Sequence, residues 1–108
     1  MNARPVVLID QDPDWCARVC RFLEPHGIPV VAARNIDAAL EAMEQFGKPS
    51  ALLMDIANRR ENGRAVSAIR RDPSLRHMPV GYLKKSAALD AVLLMLVSSA
   101  AAAGHEAA

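Results

Sequence analysis

Ala51-Leu52-Leu53-Met54-Asp55 is an apolar run that ends on a carboxylate. An unbroken run of this kind reads as a strand buried on both faces of a parallel sheet. Its closing residue would then stand at the C-terminal edge of the sheet, where open α/β folds keep their ligand crevice. Taken alone, Asp55 is more simply a turn former. Val6-Val7-Leu8-Ile9-Asp10 changes that reading, because it repeats the pattern and is followed at once by Gln11 and Asp12. Two buried strands that both end in Asp bring two carboxylates to one edge. That chemistry suits a hard divalent cation such as Mg²⁺, or a carboxylate acting as a nucleophile.

The rest of the chain alternates around these runs. Residues 5–10 are the first strand. Asp12-Pro13-Asp14 is a helix start, with a capping Asp, Pro at the first helical position and an acid in the first turn. That helix runs to about Glu24, with Trp15, Val19 and Phe22 on one stripe and Cys16, Cys20 and Leu23 beside it. Val30-Val31-Ala32 is a short second strand. Asn35 caps a helix from Ile36 to Phe46 with Ala39, Leu40 and Met43 inward. After the third strand, 51–55, a polar loop from Ala57 to Asn62 and Gly63 leads into a helix over Arg64–Arg71, with Val66 and Ile69 inward. Pro79-Val80-Gly81-Tyr82-Leu83 is a fourth strand, closed by Lys84-Lys85. Ser86 caps a last helix from Ala87 to about Val97, and 98–108 extends or frays it. The order βαβαβαβα predicts a doubly wound α/β fold, a parallel sheet with helices on both faces.

Composition bounds the function. The 108 residues make one domain, just over half of them apolar, with a formal net charge of +1. No bulk attraction to DNA or to an anionic membrane follows. The most apolar stretch, Ala91 to Val97, falls far short of the roughly 20 residues of a membrane span. With no leader visible, Cys16 and Cys20 read as reduced thiols packed on a helix face of a cytoplasmic protein. His26, His77 and His105 are scattered and suggest no metal site. No Gly-rich phosphate loop or nucleophile elbow is present.

In this order and at these spacings the chain resembles a response-regulator receiver domain of two-component signalling. Val6 to Asp14 is similar to the family's first strand and acidic corner. Leu52-Met54-Asp55, with Gly63 eight residues on, resembles the phosphoacceptor strand and its glycine. Asp72 to Val80 resembles the approach to the fourth strand, and Tyr82-Leu83-Lys84-Lys85 the strand that ends in the family's lysine. The resemblance implies a flavodoxin-like receiver fold and a signalling module rather than an enzyme. Asp55 would accept a phosphoryl group from a histidine kinase or phosphotransfer protein, and Lys85 would contact phosphate. Mg²⁺ would be held by Asp10, Asp55 and the backbone carbonyl of Ala57, with Gln11 or Asp12 as further candidates.

Four departures qualify the resemblance. The family's second acid of the corner falls on Gln11, which weakens the metal site unless Asp12 swings in. Arg59 stands where the family has proline. Ser86 replaces the proline after the lysine, and the cis peptide of that position goes with it. The chain also has four strand–helix units where a receiver has five. Pro79-Val80 resembles the start of the family's fourth strand and Gly81 to Lys85 the end of its fifth, so one helix and the switch Ser or Thr are lost. Lys85 would then either reach the acidic corner or stand in the place of the switch residue.

The fused strand should lie at a sheet edge beside the third strand, open to another chain. The last helix carries Leu89, Val92, Leu93, Leu94, Met95, Leu96 and Val97, more apolar surface than one sheet face buries. Both features point to a homodimer through that helix, the edge strand, or both. The arginines from Arg59 to Arg76 read first as a solvated face. Together with the short pattern Arg34-Asn35-Ile36-Asp37 they allow an alternative, a pseudo-receiver that dimerises or binds a partner or a nucleotide such as cyclic di-GMP without phosphotransfer.

Overall fold

Strand β3 (Ala51–Asp55) is the centre of the sheet, and its four apolar residues are all buried. In the computed structural model residues 4–85, 89–94 and 96 are described. Strand β3 pairs with β1 (Val6–Ile9) on one side and β4 (Val80–Leu83) on the other, and β2 (Val30–Ala33) lies outside β1. The order is β2-β1-β3-β4, with every pair parallel. Strand β4 is therefore at an edge beside β3, as the sequence implied. The register matches Ile9 with Met54 and Asp55 with Leu83. Asp10, one step past Ile9, and Asp55 consequently reach the same rim.

Alternation along the strands sorts the core into two layers. Val6, Leu8, Ala51, Leu53 and Leu83 face α1 (Pro13–Leu23) and the last helix, described over 89–94 and at 96. Val7, Ile9, Leu52 and Met54 face α2 (Ile36–Phe46) and α3 (Arg59–Arg71). Helix α1 starts as the sequence predicted: the Asp12 side chain accepts from the amides of Asp14 and Trp15. It buries Trp15, Cys16, Val19 and Leu23, with Phe22 half-buried beside them. A 3₁₀ turn at Glu24–His26 follows, and Gly27 takes the left-handed conformation (φ 77°) that releases the chain toward β2.

The largest correction falls on α3. It begins at Arg59, not Arg64, so the loop after β3 shrinks to three residues, 56–58. Asn58 is the reason: its side chain accepts from the Glu61 amide, and an acid in the first turn complements the helix dipole. Gly63 is carried inside the helix instead of marking its start. The buried face is Asn62, Ala65 and Ile69, and Val66 is half-buried at its margin.

The last helix packs Val92 and Leu96 into the α1-side core with Leu89 and Leu93 half-buried, and leaves Leu94 68% exposed. Ser86, Ala87, the side chain of Met95, Val97 and the tail 98–108 lie outside the described residues. Helix phase alone separates Leu94 from Leu96. In urea unfolding, Leu96→Ala should cost about 2–4 kcal/mol as a buried truncation, and Leu94→Ala less than about 0.5 kcal/mol. Equal costs would contradict this packing.

Candidate functional site

The three acids and the lysine singled out in the sequence meet at the C-terminal rim of the sheet. The Lys85 Nζ lies 3.1 Å from Asp10 Oδ1, 3.6 Å from Asp12 Oδ2 and 3.8 Å from Asp55 Oδ2. One ammonium touches all three, so the two aspartate-terminated strands share a pocket. Lys85 sits two residues past Leu83, which is level with Asp55, and its long stem reaches back over the rim. Of the two positions left open for Lys85, the geometry selects the acidic corner.

Each carboxylate is held differently. Asp10 is the buried one, its side chain 4% exposed. Its Oδ1 accepts from the Asp12 amide (2.9 Å) as well as from Lys85, while Oδ2 is buried with no hydrogen-bond partner. An orphaned buried carboxylate oxygen is costly, and it is the kind of atom a cation satisfies. Asp12 keeps Oδ1 on the first turn of α1 and turns Oδ2 toward Lys85. The Trp15 amide is the main cause that lowers the Asp12 carboxyl below its usual range, with Asp14 and Lys85 adding to it. Asp55 closes a turn on itself: Oδ1 accepts from the Ala57 amide at 2.9 Å, and Oδ2 faces Lys85. The Asp10 carboxylate is the main cause that raises the Lys85 ammonium above its usual value. The charge contacts are therefore present from neutral pH up through the ordinary lysine range and fade only above it.

Gln11 is exposed and lines the same cleft, of about 320 Å³, with Ile9, Asp10, Asp12, Asp55, Asn58 and Lys85. Among the described residues no three His, Cys, Asp or Glu side chains form a ready metal cage. Lys85 stands where several of the carboxylates converge. A divalent ion placed here would draw on Asp10, with its unpartnered oxygen, on Asp55, and on Gln11 or Asp12, which line the same cleft. These fit a hard cation in ligand type, at a reduced negative charge.

Two supporting residues escaped the sequence reading. Asn62, buried in α3, donates from Nδ2 to the backbone carbonyl of Asp55 at 2.8 Å. It ties the end of β3 to the helix that follows. Glu61 reaches across to α2, where its Oε2 accepts from the Ile36 amide at 2.7 Å. The spacing Asn58-x-x-Glu61 is a capping-box signature that could have flagged the helix start. Nothing in the spacing marks Asn62, because one buried amide has no periodicity. Cys16 packs under the site with Sγ 3.7 Å from the Asp10 carbonyl, and burial pushes its thiol up to about 11. The arginines of 59–76 are exposed, and Arg64 bridges Asp37 (3.3 Å) and Glu61 (3.6 Å). Asp37, half of the pattern Arg34 to Asp37, is thereby engaged.

No protein-family model and no curated protein sequence matches the chain. Solved structures do. The signal receiver domain of a signal transduction histidine kinase from Syntrophus aciditrophicus superposes with a TM-score of 0.77 at 13% identity, over 90% of this chain and 89% of that one. The chemotaxis response regulator CheY4 of Vibrio cholerae gives 0.76 at 18%, over 90% and 98%. The pseudo-receiver domain of the CikA protein gives 0.63 at 17%, over 91% and 98%. The chain has the receiver fold, in a form with a four-stranded parallel sheet.

Proposed function

We propose that the protein is a signalling receiver whose phosphoacceptor is Asp55. The convergence of Asp10, Asp55 and Lys85 on one rim carries the reading. The Ala57 amide engages Asp55 Oδ1, which leaves Oδ2, on the Lys85 side, as the attacking oxygen. The donor is the phosphohistidine of a kinase or phosphotransfer protein. The P–N bond breaks as the P–O bond to Asp55 forms, and the imidazole leaves with the electron pair. A divalent ion held by Asp10, Asp55, the Ala57 carbonyl and Gln11 would supply neutralisation of phosphoryl charge. Lys85 supplies a fixed positive charge on the side where that phosphoryl group would sit, and Asn62 holds the strand end in place.

A second reading has its own support. Gln11 lowers the charge of the corner, and Lys85 already occupies part of the space among the carboxylates. A pseudo-receiver that binds a partner or a nucleotide such as cyclic di-GMP, without phosphotransfer, uses the same fold. Titration with beryllofluoride and Mg²⁺, read by amide NMR shifts, separates the two. For a phosphoacceptor, shifts should appear around Asp55 and Lys85, vanish in Asp55→Asn, and need about tenfold less Mg²⁺ in Gln11→Asp, since ligand charge sets affinity. No shifts at millimolar Mg²⁺, in the native chain and in Gln11→Asp alike, would favour the pseudo-receiver.

Self-association belongs to the same proposal, and we assign it to the last helix, whose Leu94 is exposed beside Asp90 and Ala91. No helix of the described residues is long and apolar enough to cross a membrane. Sedimentation equilibrium should give a dimer that Leu94→Glu dissociates. A monomer at high protein concentration would remove this part of the proposal.

A further inference from the structure

Among the described residues, strand β4 is fully covered on one face only. Leu83 is buried under the last helix, whereas on the opposite face Tyr82 is 46% exposed and Val80 only half-buried. Ile56, hydrogen-bonded through its amide to the Leu83 carbonyl, is 45% exposed at the end of the same face. The interior strands β1 and β3 are buried on both faces. Parallel sheets are found almost only with helices on both faces; here Leu75 and Met78 of the α3–β4 connection enter the core layer that Val80 packs against, and beside α3 an open slot remains at Tyr82 and Ile56.

The walls of the slot have a definite chemistry. Glu61 and Arg64 bond to the start of α2, which fixes the flank of α3 that faces α2. The opposite flank, toward β4, carries Arg59, Val66 and Arg70, a stripe at spacings of seven and four residues. Val66 and Val80 pack against the same core layer. The floor is therefore Val66, Val80, Tyr82 and Ile56, and the rim is Arg59, Arg70 and Lys84, all exposed. Of the acids around α3, Asp37 and Glu61 lie on the α2 side and are paired with Arg64, and Asp72, at the C-cap, accepts from the amide and hydroxyl of Ser74.

We propose that this face is the docking site for an acidic amphipathic helix of another protein, with an apolar stripe on Tyr82 and Ile56 and carboxylates along both borders. Charge selects this occupant. Two copies of the chain meeting here across a two-fold axis would set Arg59, Arg70 and Lys84 against themselves. The inference stands apart from phosphorylation at Asp55, because it rests on the uncovered strand and its basic border.

The test uses the full chain without any phosphoryl mimic. The probe is a synthetic helical peptide of about five turns with leucines at i, i+3, i+4 and i+7 and glutamates on both flanks. Its control has the same leucines with lysine flanks. Binding is read by fluorescence anisotropy and by amide NMR shifts. The acidic peptide should bind at least about tenfold more tightly than the basic one, a difference of 1.4 kcal/mol, with shifts centred on residues 56, 66 and 80–84. Tyr82→Ala and the pair Arg59→Glu, Arg70→Glu should each weaken it about tenfold or more, while Leu94→Ala leaves it unchanged. Equal binding of the two peptides, or shifts centred elsewhere, would overturn the proposal. So would a dimer that Tyr82→Ala dissociates, because a second copy would then be the occupant.

Discussion

One ammonium among three carboxylates sets the terms for this molecule. Lys85 brings the ends of β1, α1 and β3 into contact with the end of β4. Without it, Asp10 and Asp55 would be two negative charges at one rim, one of them almost fully buried. The apolar lengths of β1 and β3 place those charges there, since a strand buried on both faces can present a carboxylate only where it leaves the core. The sheet is thus the device that concentrates charge, and Lys85 is the counter-charge that makes the concentration tolerable. Much of this rim stays hydrated, with Lys85 itself 39% exposed, so the arrangement is open to exchange with other cations and with anions.

The shortened topology has two physical consequences. It makes β4 an edge strand, and it places the lysine of that strand two residues beyond the level of Asp55. The long, flexible side chain spans that offset, and so Lys85 reaches the acidic corner from the edge strand. On the flank of the sheet, one face of β4 carries Tyr82 with no covering helix among the described residues. The first turn of α3 lies between these two regions. Asn62 fastens it to the Asp55 carbonyl and Glu61 to the start of α2, so a displacement at Asp55 has a short mechanical route to the neighbouring helix.

The strands and the site were legible because their signals are repetitive. Apolar runs ending in Asp10 and Asp55 announce both the strands and their rim, and Lys84-Lys85 announces the end of the fourth. The start of α3 was misplaced because Gly63 and the polar stretch before it imitate a loop, while the cap that decides the matter is a single side chain, Asn58. Asn62 was invisible for a related reason: a polar residue buried for one hydrogen bond looks like any surface residue in sequence. In sequence, the abundance of leucine in the last helix reads as more apolar surface than one sheet face buries. The structure takes up Val92 and Leu96 fully and Leu89 and Leu93 in part, and leaves Leu94 outside.

The central claim is that Lys85 and the buried carboxylate of Asp10 form one electrostatic unit across the sheet rim. A double-mutant cycle on unfolding free energy, with Asp10→Asn, Lys85→Met and the combined variant, measures it directly. The account requires non-additivity of about 0.5–3 kcal/mol, the range for residues in contact within one charged network. Effects that add to within about 0.3–0.5 kcal/mol, as for independent sites, would contradict it.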